Sequence, residues 1–569
     1  MNSTHVYSAV LAGPTGPLSL PITGGKVSED TDRIPHVQAT ITVAVADPSL
    51  YALLDPRLNR RVTVKAERKD AAGTTTRTWD LGVREYNPDR RAGTVQIRLA
   101  SDEALLADWG YGVSADPYPL AGSLRAVTNW VLGHLGASLE PGTLDADLTP
   151  YWDLTNLVLN PSMMISNFGW LPGTGASAGV RVAAPAGFGG YALRWSATQS
   201  GDSNQVPTGS NTPAPDARTF YTVTPGTWYV FSFQVLSNIA RQVRASVQFW
   251  TQGGSSPVTT LSGADTSSVP TGFTRVWCVV KCPPGCDKAV PFVQTRGNNV
   301  GDQHYVTQAM FYPGTDFADV LGVHEVQPYH DGETAPPGYN VSWGGDASLS
   351  PSTRRARIPR RPEALVLKHG QSGMDFLKPL LQASALRLVC DGDRKWHLRD
   401  MDYVGTGMTT HEYDVNITEA SESLSRDAIE WYNMCFVKYI WRDRMGVEYT
   451  EIDSATTVLD PVTPVKMRYI ELRDTPFPGY GRAWAFVSRA VTRGRKVTTS
   501  AVATWKERAD QPLTVTLDGT PIQTGQIASV EWSLDNDTVT VTGRTSDTPA
   551  LLAATPSPDS LTEETHATD

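Results

Sequence analysis

The feature that most constrains this chain is a two-residue alternation of apolar and polar side chains, repeated in short runs along much of its length. Residues 36–45 read HVQATITVAV, and similar strand-forming runs return at 61–67, 77–86, 94–99, 228–236, 243–250, 433–441, 526–533 and 538–543. Successive side chains of a strand point to opposite faces, so each run can bury one face and wet the other, and Asp-Pro, Asn-Pro and Ala-Gly pairs supply turns between them. Three segments change to a helical period. SLRAVTNWVLGHL (123–135) places Leu124, Val127, Val131 and Leu135 near one face behind Ser123 as N-cap, SGMDFLKPLLQASALRLV (372–389) reads as a helix feeding a short strand, and RAWAFVSRA (482–490) is a short helix expected to pack across strands. The expected fold is mainly β, multidomain β-barrels plus a β-sandwich insert, with small α/β elements.

A chain of 569 residues exceeds what one core usually serves. The pattern divides it into an N-terminal β-barrel (1–105), an α/β connecting element (106–155), a helix-poor insert rich in Gly, Ser, Thr, Pro and aromatics (156–342), a basic linker (343–361), a second α/β element (362–409), a C-terminal β-barrel domain (410–545) and a tail expected to be disordered (546–569). The two α/β units echo one another, each an apolar helix, a small-residue break, a short strand and a glycine turn, as a duplication or two half-domains flanking an insertion would. Whether residues 1–155 and 345–545 form one interleaved body is left open at this level.

Net charge of -10 argues against an extended phosphate-binding surface and so against a specific nucleic-acid partner. The one dense basic run, Arg354, Arg355, Arg357, Arg360 and Arg361, is broken by prolines and reads first as a solvated linker, with an acidic partner or DNA as the lesser alternative. No stretch approaches the roughly 20 apolar residues of a membrane span, and the N-terminus lacks the basic-then-apolar pattern of a signal peptide, so a soluble chain made in the cytoplasm is expected. Cys278, Cys282 and Cys286 cluster in VWCVVKCPPGCDK, where a Cys282 to Cys286 disulfide closing the turn, free thiols or, less readily, a metal site all fit. No nucleophile elbow, metalloprotease helix, P-loop or dinucleotide fingerprint occurs, and isolated histidines such as His304 and His330 read as ordinary polar residues. The chain is expected not to be an enzyme. For the insert, sugar binding is the sharper reading, because aromatic faces stack on pyranose rings while amides satisfy hydroxyls. Candidates are Trp170, Tyr221 and Trp250 with Asn204, Gln205 and Asn298, each of which could instead belong to the core, as Trp228, Phe231 and Phe233 are expected to.

NLVLNPSMMISNFGW, GTWYVFSFQV, GFTRVWCVV and HYVTQAMFYPG resemble, in that order, the strand signatures of carbohydrate-binding-module-like jelly rolls over residues 156–314. YHDGETAPPGYNVSWGGDASLSPS, with its framework of Asp331, Gly332, Trp343, Gly344 and Ser350, resembles the segment that follows such modules in minor tail proteins of siphophages infecting actinobacteria. The flanking GGKVSEDTDRIPHVQATITV and TWKERADQPLTVTLDGTPIQTGQIASVEWSLDNDTVTVTG are similar to the ends of those proteins, a baseplate or tail hub family. The resemblance implies a virion protein at the tail tip, a homotrimeric ring closing the tail tube, partnered by distal tail protein, tape measure and other minor tail proteins, with the insert facing host cell-wall polysaccharide. A distal tail protein with an inserted sugar-binding module, a purely structural protein whose insert braces its neighbours and a tail-associated cell-wall hydrolase are the rivals. One departure bears on cofactors. Such jelly rolls often carry an acidic calcium ligand after their Asn-Pro-Ser motif, but here Met163 and Met164 follow Asn160, Pro161 and Ser162, leaving backbone carbonyls and Asp316 as helpers for a structural calcium and no cofactor otherwise expected.

Overall fold

A computed structural model of the protein describes residues 3–545 apart from 15, 113–117, 120–121, 150–152, 186, 208–219, 315–326, 358–359, 428–429, 443–447, 459–461 and 518–522. The tail 546–569 and Asp316 lie outside the described residues. The protein is mainly β and multidomain, with few, short helices.

Alternation builds the body as the sequence dictates. In the strand Val37–Ala44 every odd-numbered residue (Val37, Ala39, Ile41, Val43) is buried while its neighbours stay half-exposed. Seven strands from the first 100 residues form a continuous run ending in Ile22–Asp30, and there the sheet continues into Gln523–Ser533, Thr538–Arg544, Arg495–Val502 and Ile417–Leu424, for thirteen strands with the side branch Pro512–Thr516 and Thr409–Glu412. The seam pairs Lys26 with Ser533 through Asp30 with Ser529. One apolar core crosses it, joining Ile41, Val64, Trp79 and Ile97 to Trp505, Ile527, Trp532 and Val541. At its centre the buried Arg77 lies 5.0 Å from the Trp79 ring and 4.3 Å from the Trp532 ring, is paired with Glu29 and donates to the Glu507 carbonyl.

The two echoing units also meet. Helices Leu124–Gly133 and Gly373–Ala383 share a core of Leu124, Val127, Val131, Phe376, Leu377 and Leu380 with the hairpin Leu386–Cys390 and Trp396–Asp400. Both start as expected, with the Ser123 and Ser372 hydroxyls accepting from the N–H groups of Ala126 (3.1 Å) and Asp375 (3.0 Å). Further on, the helix Arg482–Ala490 crosses the sheet Met434–Arg442, Glu448–Thr456 and Met467–Arg473, and Asp453 caps it by accepting from the N–H groups of Gly481 and Ala483.

The insert is a two-sheet sandwich. Trp170–Pro172, Gly201–Pro207, Lys288–Asn298, Arg241–Trp250 and Thr259–Ser262 form the main path of a seven-stranded sheet, facing a five-stranded sheet ordered Val180–Ala183, Tyr191–Ser196, Gln303–Pro313, Trp228–Ser237 and Thr274–Lys281. Phe231, Phe233, Phe249 and Phe311 fill the space between. Chain leading in (Leu154–Asn156) and chain leading out (Ser352–Ala356) are hydrogen-bonded neighbours in a three-stranded sheet with Tyr339–Trp343.

This junction corrects the reading of the basic run as a solvated linker. Arg354 is fully buried, 4.3 Å from the Tyr339 ring and donating to Gln327 Oε1 at 2.7 Å, and Arg360 donates to the carbonyls of Thr149 and Pro478, both at 3.1 Å. Guanidinium groups stacked and bonded in this way are anchors, and only Arg355 and Arg357 of the run stay exposed. The Asp-Gly…Trp-Gly…Ser framework is mechanical too. Asp331 accepts from the N–H groups of Glu333 and Thr334 and from the hydroxyls of Tyr329 and Ser162, while Ser350 Oγ ties Gly345 to Asp346. Gly332 lies flat on the Trp343 indole, so close that a Cβ there would fall 2.2 Å from Cδ1. Gly332→Val is therefore expected to push the indole away, costing about 3 kcal/mol as overpacking does and lowering the thermal unfolding midpoint, with Gly332→Ala showing a smaller loss in the same scan.

Candidate functional site

Burial decides most of the sugar-binding candidates. Trp170, Tyr221 and Trp250 are 5%, 4% and 2% exposed, and Trp170 and Tyr221 belong to the sandwich core. Tyr221 meets Phe311 edge-on at 5.0 Å, Trp250 meets Phe220 at 5.4 Å, and burial pushes the Tyr221 phenol well above its ordinary range. Gln205 is fully buried and donates to the Ser177 carbonyl at 2.9 Å, and Asn298 is buried and donates to Thr295. None of these five can stack on or bond a ligand from solvent; they are core residues. Asn204 differs. One residue from Gln205, it points the other way, half-buried on the outward face of the seven-stranded sheet.

That face carries the site. In Arg241–Trp250 the residues Val243, Ala245, Val247 and Phe249 enter the core, so Gln242, Arg244, Ser246 and Gln248 face outward. Register places Arg244 beside Gln294, and Gln294 beside Asn204, so three hydrogen-bonding side chains cross three adjacent strands in one row. Arg244 Nε donates to Gln294 Oε1 at 2.5 Å, and Gln294 Nε2 donates to Asp202 Oδ2 at 2.8 Å. Arg296 pairs with Asp265 at 2.7 Å, while Ser246, itself buried, shares a 2.8 Å bond with Ser262 and faces the buried Phe292 across the strands. The Asn204 Oδ1 is buried without a hydrogen-bond partner. Gln294 is 7% exposed and so anchors the row from beneath, and the groups open to solvent are exposed Gln242 with half-buried Arg244, Gln248 and Arg296, spaced by strands about 4.8 Å apart at the scale of a sugar ring. Arg244, Gln294, Asp202, Arg296 and Asp265 were missed in the sequence, although the alternation of RASVQFW already carries Arg244, Ser246 and Gln248 on one face.

In the cysteine loop, the free-thiol reading is the one the structure takes. Cys282 and Cys286 are buried free thiols, as are the other three cysteines, and Cys282 Sγ donates to the Cys286 carbonyl at 3.4 Å instead of bridging. Burial, with Cys286 and Asp287 nearby, pushes the Cys282 thiol up to about 11, so it stays protonated and unreactive at neutral pH. In the Asn-Pro-Ser loop, Asn160 uses its amide on backbone groups of Ile165 and Phe168, while Met163 is fully buried and its carbonyl accepts from Arg181. His304 and His330 are fully buried, and burial lowers both to about 4.

No protein-family model matches the sequence, and no curated protein matches it. Among solved structures, the chain is similar to the 43 kDa tail protein of prophage MuSo2 from Shewanella oneidensis, at 8% identity and a TM-score of 0.40, covering 95% of this chain and 98% of that one. It is similar to the prophage tail protein gp18 from Listeria monocytogenes EGD-e, at 8% identity and a TM-score of 0.36, covering 94% of each chain. The CBM22-1 xylan-binding domain of Paenibacillus barcinonensis Xyn10C matches 29% of this chain and 97% of its own length, at 10% identity and a TM-score of 0.22.

Proposed function

We propose that the protein is a structural component of a phage tail tip, a hub-like body that closes the tail tube as a ring of like copies and presents its inserted jelly roll to host cell-wall polysaccharide, with no catalytic step of its own. The carrying observation is the outward row of Asn204, Gln294 and Arg244 on a sandwich whose entering and leaving strands pair with each other. Such a module binds and transmits force. The resemblance of residues 156–350 to tail-borne jelly rolls and their exit segment supports the same reading.

Open sheet edges support self-assembly. The terminal strand Ile417–Leu424 is exposed along almost its whole length, and Met467 and Tyr469 on the edge strand Met467–Arg473 are 57% and 54% exposed. Uncovered edges and apolar side chains invite neighbouring chains, here further copies, distal tail protein, tape measure and other minor tail proteins. Copies on a ring would add avidity to weak single sites. Against hydrolysis stands the state of Asp302 in the insert. Burial alone would raise Asp302, but the Asn299 N–H and Arg241 hold it below its ordinary value, the opposite of what a general acid needs.

Retention of the intact protein on purified host cell walls tests this reading. Gln242→Ala with Arg244→Ala, both on the solvent side of the strand, is expected to lower retention by about tenfold or more, as loss of two or three hydrogen bonds implies, with the cooperative melting transition retained. Equal retention of both proteins, or release of reducing ends from the walls, would overturn it.

A further inference from the structure

Outside the insert, a concentration of unbalanced charge lies in the body. A cavity of about 700 Å³ opens between the loop after Ile22–Asp30, the helix Gly373–Ala383, the strand Leu386–Cys390 and the helix Arg482–Ala490, and seven cations line it against two carboxylates, Asp32 and Glu430. Behind its wall the imbalance continues. Buried Asp510 alone serves Arg387, Arg399 and Arg544, and Asp32 serves both Arg489 and Arg493. The Arg387 side chain is 8% exposed, with its second terminal nitrogen buried and unbonded, and the Nε atoms of Arg482 and Arg489 are likewise buried without partners. Burial, with Arg387 and Arg544 close by, lowers Arg489 to about 10, which still leaves it charged at pH 7.

Buried guanidinium groups that must share their counter-charges and leave donors unbonded are costly, and a carboxylate reaching Arg387, Arg482 and Arg489 together would serve three such donors at once. The chain carries such an acid close by. Arg544 ends the last strand and shares Asp510 with Arg387, and the segment that follows, 546–569, contains Asp547, Asp559, Glu563, Glu564 and Asp569 with no lysine or arginine. Its sequence LTEE (561–564) sets Leu561 beside two carboxylates, as the cavity sets Met374, Leu381 and Phe486 beside its arginines.

We propose that the acidic segment 546–569 docks through Glu563 and Glu564 in the arginine-lined cavity of its own chain, with Arg387, Arg482 and Arg489 as its receptors. The tether makes this encounter intramolecular, at an effective concentration that reaches the millimolar range for short linkers. The segment thereby neutralises the cavity and withholds it from other anions.

The test uses a fluorescent peptide of residues 546–569 and two full-length proteins, one native and one with the five tail acids replaced (Asp547→Asn, Asp559→Asn, Glu563→Gln, Glu564→Gln, Asp569→Asn). The peptide is expected to bind the neutral-tail protein in a salt-sensitive manner and the native protein at least about tenfold more weakly, because the tethered tail competes. Adding Arg482→Gln, together with Arg468→Gln on the cavity rim, to the neutral-tail protein should abolish binding while the protein still melts in one cooperative transition. Absence of peptide binding to the neutral-tail protein, equal binding to both tails, or binding that survives the arginine changes would overturn the proposal. So would a single-stranded oligonucleotide taking the same arginines where the peptide does not.

Discussion

Lowering the pH from 7 to 4 is expected to unfold the insert ahead of the rest of the chain. His304 is fully buried, its Nδ1 within 2.8 Å of Ser237 Oγ and its ring 5.2 Å from that of Trp195, and burial outweighs the attraction of Asp302 to bring it from 6.5 down to about 4. His330, fully buried at the junction, falls to the same value through burial and the nearby Arg354. Because the folded values lie below the unfolded ones, the unfolded chain binds more protons between pH 6.5 and 4. Stability is therefore complete above 6.5 and drains as the pH falls towards 4, by about 3 kcal/mol for each histidine. Calorimetry of the intact protein at several pH values should show one transition moving down through this window, and His304→Gln should flatten its pH dependence. A transition that stays put from pH 7 to 4.5, or one indifferent to both histidines, would contradict the assignment.

Glu29→Leu should be the most damaging single change in the body, at about 3–5 kcal/mol, because it leaves the Arg77 charge buried between two indoles without its partner. Burial depresses Arg77 to about 10, so at pH 7 the guanidinium is still charged and cannot escape the penalty by deprotonating. The double change Glu29→Leu with Arg77→Met removes both charges and should recover most of the loss. Urea unfolding midpoints of the two singles and the double close the cycle. A Glu29→Leu midpoint within about 1 kcal/mol of the native one would mean that water reaches Arg77 and the pair is not a sealed element of the seam.

What the sequence revealed was local. The alternation of Val37 to Ala44, the serine caps at Ser123 and Ser372, the aromatic strand Trp228–Ser237 and the helix Arg482–Ala490 are each set by neighbours within a few residues, and each appears where its pattern lies. What escaped it depends on distant partners. An arginine in a proline-broken run looks solvated until Tyr339 and Gln327 are brought beside Arg354. A tryptophan looks available for stacking until the fold covers it, as it covers Trp170 and Trp250. Asn204 and Gln205 are chemically alike and adjacent, and only the pleat separates a surface amide from a core one. The polar row itself needs register, since Arg244 and Gln294 lie 50 positions apart and gain meaning only side by side.

The seam between Ile22–Asp30 and Gln523–Ser533 sets an order of events during synthesis. Its two strands are separated by roughly 500 residues, so at the usual 5–20 residues per second about half a minute to two minutes pass between the appearance of the first and that of its partner. Throughout that interval the edge of Ile22–Asp30 has no mate, while the insert between them can complete its own sandwich. The nascent protein therefore exposes a sticky half-sheet for longer than it takes to finish the module that gives it purpose. Lys26 on that waiting strand, an exposed charge on an edge otherwise able to pair with any passing chain, is placed where it discourages premature association.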